Sequence, residues 1–349
     1  MTLLETLVWM VDTPSELGDE ARLCSALIDR LAGSYDQESI VRVGDSVVIG
    51  RPTGKPLMLI VGHIDTVPSQ GQPPAFEEDG LLYGLGTSDM KAGVAVMVHL
   101  LEDTDVRHGP YDVVGIFYDG EEGPAAGNNL ERVLQEVEWL RNAEFAVVME
   151  PTDLRLEIGC NGAINATVRF TGKSAHSARP WLGQNAITKA GAWLAELHQR
   201  EPVLFEIDGL EYREVYSVTK AAGGIANNIL PAMFEVNLNY RFPPVFSIEE
   251  AVGRLRLLTL AADDVEIVDR APAAPVPEGN SHLDRLAAVT KADRAAKQGW
   301  TDVARLALYG VPAVNYGPGV VAQAHQVHEH VPIANLEPAF EGMKAFLTS

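Results

Sequence analysis

Residues 56–65 read PLMLIVGHID, a continuous apolar run that ends directly before His63 and Asp65. Two similar runs follow, DVVGIFY at 112–118 and AEFAVVM at 143–149, each preceded by a stretch with helical periodicity, AGVAVMVHLLE and NLERVLQEVEWL. Continuous apolar strands that alternate with helices indicate a mainly parallel sheet with both faces covered. The sequence therefore predicts an α/β fold.

The middle of the chain has a different pattern. From about residue 162, stretches such as AINATVRFTG and MFEVNLNYRF alternate apolar with polar residues, as strands buried on one face do. The order strand, helix, strand, strand, helix, strand is that of a split βαβ, ferredoxin-like sandwich. We therefore predict a main domain in two parts, 1–161 and 273–349, and an inserted α+β domain at 162–272. Four side chains are expected in the core of the insert: Phe234, Val236, Leu238 and Tyr240.

Composition and charge limit the possible partners. The chain has 349 residues, 46% of them hydrophobic, and a formal net charge of -21 at pH 7. This charge argues against nucleic acid or an anionic membrane as a partner, because both would repel it. No uncharged apolar run approaches the roughly 20 residues of a membrane span, and the N-terminus lacks a signal-peptide pattern, so we expect a cytoplasmic protein. Cys24 and Cys160 are expected to be buried and unpaired.

Ionisable side chains follow the predicted strands at their carboxyl ends, where open parallel sheets bind ligands. In chain order they are His63, Asp65, Asp89, Glu121, Glu122 and Glu150. Each has an ordinary explanation when taken alone, since aspartate is a favoured helix N-cap and adjacent glutamates are common in solvated turns. Their occurrence together at one edge of one sheet is better explained by a metal site.

The charges of these residues suit two divalent cations. Asp89, Glu122 and Glu150 would supply three negative charges against four positive ones, which leaves a place for one hydroxide. With Asp89 bridging, one metal would take His63, Asp89 and Glu150, and the other would take Asp89, Glu122 and a further histidine. Three protein ligands per metal is the open arrangement of catalytic rather than structural zinc.

Two carboxylates stay outside this ligand set. Asp65 is expected behind His63, where it would accept a hydrogen bond and fix the imidazole tautomer. Glu121 remains beside the metals and is our predicted general base and acid, since two bound metals lower the pKa of water to about 7 and polarise a carbonyl. The missing histidine is expected in AHQVHEHV at 324–331, where ligand counting alone cannot choose among three candidates.

The chain resembles the co-catalytic di-zinc hydrolases, a family that includes aminoacylase, acetylornithine deacetylase and succinyl-diaminopimelate desuccinylase. The motifs that carry the resemblance cover nearly the whole chain: GHIDTVP, LYGLGTSDMK, DGEEG, MEPTD, GKSAHSARPWLGQNAI, GGIANNILP, GVPAVNYGPG and AHQVHEHV. Within the family, FYDGEEG, GWTDVARLALYGVPAVNYGPG and a histidine followed four positions later by EHV look most like the short desuccinylases of actinobacterial type. The resemblance implies a zinc-hydrolase catalytic domain with an inserted lid and dimerisation domain.

The resemblance also implies roles for particular residues of the catalytic domain. The implied metal ligands are His63, Asp89, Glu122, Glu150 and His325, with Glu121 catalytic. The family spacing of a histidine and a glutamate four positions later selects His325 as the ligand. By the same spacing, Glu329 is expected to support or cap the segment that carries His325. His328 and His330 are then expected to lie nearby without binding a metal.

In the insert, the resemblance implies that His176 of GKSAHSA reaches the active site of a neighbouring subunit and stabilises the tetrahedral oxyanion. It points to Asn228 of GGIANNILP and to Arg241 as substrate contacts. Arg179, close to His176 in sequence, is a further candidate, because a guanidinium can pair bidentately with a substrate carboxylate. His176 and Arg241 also have an ordinary explanation, as a surface loop residue and a solvated strand residue.

These implications predict the hydrolysis of N-succinyl-L,L-2,6-diaminopimelate to succinate and L,L-diaminopimelate, a step towards lysine and cell-wall precursors. The expected cofactors are two zinc ions, with cobalt or manganese as alternatives, and the expected assembly is a homodimer formed through the insert. Another N-acyl amino acid amidohydrolase or a dipeptidase would use the same metal centre. A metal-stabilised binding protein without turnover is the alternative from another class, although structural sites favour cysteine ligands.

Overall fold

The chain forms two compact units in the computed structural model, which describes residues 1–124 and 126–349. The first unit contains Met1–Ile158, Pro277–Ala295 and Arg305–Ser349, and the second contains Gly159–Val276 and Ala296–Ala304. The second unit therefore begins and ends a few residues outside the insert expected at 162–272.

The segment Ala296–Ala304 was expected in the main domain, but it groups with the second unit. Hydrogen bonds within that unit explain the difference. The Asn161 N–H donates to the Lys297 carbonyl at 3.2 Å, Gln298 Nε2 donates to the Glu211 carbonyl at 2.7 Å, and Trp300 Nε1 donates to the Pro272 carbonyl at 3.1 Å. These hydrogen bonds join residues that are far apart in the chain, so no local sequence pattern predicts them.

The α-helices of the described residues alternate with strands along most of the chain. They are α1 Leu3–Val11, α2 Ala21–Leu31, α3 Ala92–Glu102, α4 Thr104–Arg107, α5 Leu130–Glu136, α6 Ala186–Lys189, α7 Gly191–Gln199, α8 Ile248–Leu258, α9 Ser281–Thr290, α10 Val303–Leu308 and α11 Leu336–Thr348. None of these helices combines the length and the apolar content that crossing a membrane requires.

The strands of the described residues belong to three sheets. They are β1 Ile40–Val43, β2 Ser46–Ile49, β3 Leu57–His63, β4 Phe76–Glu78, β5 Leu81–Tyr83, β6 Asp112–Tyr118, β7 Phe145–Val148, β8 Leu156–Ile158, β9 Gly162–Thr171, β10 Val203–Ile207, β11 Leu210–Gly223, β12 Met233–Phe242, β13 Asp264–Ala271, β14 Arg294–Ala296, β15 Ala313–Asn315 and β16 His330–Pro332.

The largest sheet has eight strands in the order β1-β2-β6-β3-β7-β15-β8-β14. Its four central strands, β6, β3, β7 and β15, are parallel, and every residue of β3 and β6 is buried, as the continuous apolar runs predicted. Nearer the edges, β1, β2 and β8 pair antiparallel. The sheet is therefore mixed, because a two-residue connection such as that between β1 and β2 allows only antiparallel pairing.

The second unit contains an antiparallel sheet in the order β10-β11-β12-β9-β13. Without β10, the remaining strands and the helices α6, α7 and α8 have the order of a split βαβ sandwich. The four side chains expected in its core are all buried, and Trp193 of α7 and Leu255 of α8 belong to the same apolar cluster. Each fully buried side chain of this size contributes about 1.5–3 kcal/mol.

A small third sheet in the first unit has the order β16-β5-β4. Its pairing of His330 with Tyr83 and of Val331 with Leu82 holds the end of AHQVHEHV against the strand that leads into LYGLGTSD. Two distant motifs of the sequence are thereby brought side by side. The cysteines behave as predicted, since Cys24 and Cys160 are both buried and free of a disulfide.

Candidate metal centre

The carboxyl ends of the central parallel strands hold most of the candidate site. His63 is the last residue of β3, and Glu121 and Glu122 follow β6 after a short turn. Glu150 follows β7, two positions beyond the register pair of Val61 with Val148, just as His63 does on β3. Parallel pairing therefore delivers these side chains to the same edge of the sheet.

His63 is held between two aspartates. Its Nε2 lies 3.1 Å from Asp89 Oδ1, and its Nδ1 lies 3.0 Å from the carbonyl oxygen of Asp65 and 3.5 Å from the Oδ1 of the same residue. Asp65 is fully buried, and its Oδ2 accepts a hydrogen bond from the Glu122 N–H at 2.9 Å. Asp65 thus supports the imidazole, through both its backbone and its side chain, and also anchors the loop that carries the two glutamates.

A second group joins three of the predicted residues. Asp89, Glu122 and His325 each offer a ligand atom, and these atoms lie within 4.8 Å of one another. His325 Nε2 is 2.9 Å from Glu122 Oε2 and 3.7 Å from Asp89 Oδ2. The histidine is more than half exposed, whereas the side chain of Glu122 is only 6% exposed.

A further group on the other side of Glu122 consists of His63, Glu121 and Glu122, again with ligand atoms within 4.8 Å. The sequence had instead paired His63 with Asp89 and Glu150. Asp89 does contact His63, and Glu150 is buried at the end of the neighbouring strand. Glu121 therefore lies within ligand distance of His63, beside the residues that the sequence assigned to the metals.

The electrostatics of the site favour positive charge. Hydrogen bonding to Glu122 raises the pKa of His325 to about 9, against the opposing effect of burial. Burial also opposes protonation of His63, but the carboxylates of Asp65 and Asp89 raise its pKa well above the ordinary value. Metal ions and protons compete for the same imidazole nitrogens. Surroundings that stabilise an imidazolium in this way would also stabilise a bound cation.

The donor set fits two divalent metal ions. Imidazole nitrogens and carboxylate oxygens converge in two overlapping groups that share Glu122, and carboxylates neutralise cations without any cationic side chain among them. Nitrogen and oxygen donors of this kind suit zinc, cobalt and manganese. The residues present are therefore compatible with the metals that the sequence implied.

The loop that carries Asp89 is not part of helix α3. Residues Thr87–Lys91 form a π-helical turn in which Asp89 has non-helical backbone angles, and α3 begins only at Ala92. Glu329 is 2% exposed, and its carboxylate accepts hydrogen bonds from the N–H groups of Gly86, Ser88 and Asp89 at 2.8, 2.8 and 2.9 Å. Asp89 is therefore a side chain carried by a bound loop and not a helix cap.

The remaining histidines of AHQVHEHV lie outside both groups. His328 is exposed, and its carbonyl oxygen lies 2.9 Å from Nδ1 of His330. His330 stacks at an angle on Tyr83, with 5.0 Å between the ring centroids. Of the three histidines, His325 is the one that the structure places against predicted metal ligands.

The candidate residues of the insert form a loop cluster in the second unit. His176 pairs with Ile229 in an isolated bridge, and the Ser177 N–H donates to the Asn228 carbonyl at 2.9 Å. The Arg179 N–H donates to the His176 carbonyl at 2.8 Å. The structure thus brings His176, Arg179 and Asn228 together on an exposed surface.

Arg241 lies on β12, away from these loops in the sequence. Its Nε donates to Asn239 Oδ1 at 3.2 Å, and the side chain is only partly exposed. Burial lowers the pKa of its guanidinium, although arginine stays charged at any ordinary pH. It stands on the polar face of the strand, as the alternation predicted.

Sequence reasoning missed the residue that holds the loop of the two glutamates. Asp119 is buried, and its carboxylate accepts hydrogen bonds from Ser46 Oγ and Asn129 Nδ2. Its carbonyl oxygen also accepts the Asn129 N–H at 3.0 Å. The only signal was its place at the end of a strand, which Asp119 shares with the residues that were singled out.

An α/β sheet whose strand ends gather two overlapping histidine–carboxylate groups defines a metal-dependent hydrolase. Residues 59–349 match the sequence profile of Peptidase family M20/M25/M40. The chain therefore belongs to this family.

Individual proteins show the same relationship. A protein of Mycobacterium tuberculosis that bears the name succinyl-diaminopimelate desuccinylase DapE is 38% identical over 348 residues, covering 99% of this chain and 97% of its own. The succinyl-diaminopimelate desuccinylase of Corynebacterium glutamicum is 34% identical, with 97% and 94% covered. The YXEP protein of Bacillus subtilis, a dinuclear metal binding peptidase of the M20 family, shares the fold with a TM-score of 0.71 at 17% identity, covering 99% of this chain and 96% of that one.

Proposed function

We propose that the chain hydrolyses N-succinyl-L,L-2,6-diaminopimelate to succinate and L,L-diaminopimelate. The observation that carries the proposal is identity of 38% and 34%, over nearly the whole length, to two proteins named for this activity. The site supports it, because two overlapping histidine–carboxylate groups, one of which includes Glu121, supply the metal ligands and the carboxylate that metal-dependent amide hydrolysis requires.

The proposed metal ligands are His63, Asp89, Glu122, Glu150 and His325, and Asp65 orients His63. When bound, two zinc ions would lower the pKa of water and polarise the amide carbonyl. Cobalt or manganese would suit the same donors.

Glu121 is the proposed general base and acid. It takes a proton from the attacking water as the water oxygen bonds to the carbonyl carbon. It then gives that proton to the amide nitrogen as the carbon–nitrogen bond breaks, so the products are a carboxylic acid and an amine, and the proton of the acid then moves to the amine to leave a carboxylate and an ammonium group. His176 would donate a hydrogen bond to the tetrahedral oxyanion, and Asn228, Arg241 and Arg179 would contact the substrate, the arginines through its carboxylates.

The active form is proposed to be a homodimer joined through the insert. On β11, residues 210–214 pair with β10, but among the described residues no strand covers the outer edge of residues 215–223. Val218 on this edge and Ile225 just beyond it are 39% and 87% exposed. An uncovered edge with apolar side chains is suited to pairing with a second copy. A cytoplasmic location and the exclusion of nucleic acid stay predictions.

Substrate comparison tests the proposed activity. The purified chain, stripped of metal and reloaded with zinc, should cleave N-succinyl-L,L-diaminopimelate far faster than N-acetylornithine or simple dipeptides, and the stripped chain should be inactive. Preference for N-acetylornithine or a dipeptide would assign the chain to another activity of the family. Metal binding without turnover on any of them would support the non-catalytic alternative.

Subunit mixing tests the proposed role of His176. His176→Ala and Glu121→Gln homodimers should each be nearly inactive, but mixed dimers would contain one site with both residues intact. Random mixing should therefore restore up to about a quarter of wild-type turnover. If the mixture stays as inactive as its parents, His176 does not act in the partner's site.

A further inference from the structure

Asp89 belongs to the loop Gly84–Lys91, which has little regular structure of its own. Only the π-helical turn Thr87–Lys91 interrupts it before α3. Yet the position of this loop sets two distances, 3.1 Å from Asp89 to His63 and 3.7 Å from Asp89 to His325. A loop that must be this accurately placed needs contacts from outside itself.

Glu329 supplies these contacts. Its Oε2 accepts the Gly86 N–H, and its Oε1 accepts the N–H groups of both Ser88 and Asp89. Gly86 has a φ of 79°, in the left-handed region, and a backbone that places a left-handed residue beside right-handed ones forms a concave nest of N–H groups that binds anions. Charge-assisted hydrogen bonds of this kind are about twice as strong as neutral ones.

Further hydrogen bonds also hold this loop in place. The Gly84 N–H donates to the Glu329 carbonyl at 3.1 Å, and Ser88 Oγ donates to the His330 carbonyl at 2.6 Å. On the far side, Lys91 Nζ donates to the carbonyl oxygens of Met10 and Thr13 at 3.0 and 3.1 Å. The carboxylate of Glu329 binds the Asp89 N–H directly, at 2.9 Å.

Glu329 also lies four residues after His325 in the chain. The segment that presents one metal ligand is therefore the segment that places another, and both ligands belong to the group of Asp89, Glu122 and His325. We propose that Glu329 is a positioning residue that couples His325 to Asp89 through the nest formed by Gly86, Ser88 and Asp89. The inference rests on the proposed function only in taking these two residues as metal ligands.

Metal titration of the full chain tests this coupling without using activity. Glu329→Gln keeps the size of the side chain, but it removes the charge and turns an NH2 group towards the backbone N–H donors. We expect its zinc affinity, measured by competition with a chromophoric chelator, to fall about 10- to 100-fold at one position at least. Glu337→Gln, which removes the same charge from an exposed site on α11, should bind two zinc ions with wild-type affinity.

Two outcomes would overturn the proposal. Wild-type zinc affinity in Glu329→Gln would show that the nest does not position a ligand. If that variant fails to fold, Glu329→Asp decides, because it keeps the charge but cannot reach all three N–H groups, and wild-type affinity there would equally contradict the coupling. A wild-type chain that binds no metal would instead refute the proposed function, so the two failures are distinguishable.

Discussion

Glu121 and Glu122 are neighbours in the chain but have different parts in the proposed reaction. Glu122 faces both His63 and His325, whereas Glu121 shares only the group around His63. We predict that Glu121→Gln keeps both metals, measured by elemental analysis, and loses about 100- to 10,000-fold in kcat, the usual contribution of a general base. Turnover near wild type would refute its role, and loss of metal would make Glu121 a ligand.

His325 and His328 form a matched pair, since both are exposed histidines of one short segment. Only His325 contacts Glu122. We predict that His325→Ala binds one metal ion per chain where the wild type binds two, and that His328→Ala is nearly indistinguishable from wild type in metal content and kcat. Loss of a metal ion in His328→Ala but not in His325→Ala would show that His328 is the ligand.

Residues differ in how far the sequence reveals them. His63, Asp89 and Glu122 could be singled out because a local pattern placed them at strand ends or in a glycine-bearing turn. The hydrogen bonds of Glu329 could not be predicted, since their donors are backbone groups of a loop distant in the chain. Asp119 was missed for the same reason, as its partners Ser46 and Asn129 come from separate segments.

At the scale of elements, the insert contains an ion pair between a buried glutamate and a partly exposed arginine, which ties a strand to a helix. Glu214 of β11 accepts two hydrogen bonds from Arg254 of α8, both at 2.7 Å, and one from the hydroxyl of Tyr240 at 2.6 Å. Burial opposes ionisation of Glu214, but these hydrogen bonds outweigh it and lower the pKa of its carboxyl.

Replacement of this carboxylate should therefore destabilise the insert. We predict that Glu214→Gln lowers the free energy of unfolding by about 2 kcal/mol near neutral pH, since it leaves Arg254 without its charge partner. Because the folded-state pKa of Glu214 is lowered, the wild-type advantage is present above the ordinary glutamate pKa, about 4.3, and is lost as the pH falls through the folded value. Urea unfolding at several pH values measures the difference in free energy of unfolding between the wild type and Glu214→Gln. A difference that stays the same at acid pH would contradict this explanation.

Elements with a strong pattern were predictable to the residue, and weak ones were not. The strands β6 and β12 and the helix α3 have the predicted bounds, because continuous or alternating burial shows directly in the sequence. By contrast, β4 is three residues long and exposed throughout, and β10 is mostly exposed although four of its five residues are apolar. Such strands are held by their neighbours in the sheet, so their own residues carry little signal.

At the scale of the whole molecule, the open edge of β11 makes the proposed dimer testable. We predict that Val218→Lys, which places a charge on this edge, raises the dimer dissociation constant more than about tenfold, measured by analytical ultracentrifugation. Leu308→Lys, at a 64% exposed position of the first unit, should leave it unchanged. An unchanged dimer in the Val218 variant would place the interface elsewhere.

The pairing of β15 with β7 has a consequence for how the chain is made. Ala313 of β15 pairs with Ala146 of β7, so this part of the central sheet forms only after the whole insert has been synthesised. The insert can therefore finish folding while the buried strand β7 still has an unpaired edge. Such an unpaired apolar edge is a target for aggregation in a nascent chain. His325 arrives later still, so the stabilisation that bound metal would give reaches only chains that have been synthesised beyond this residue.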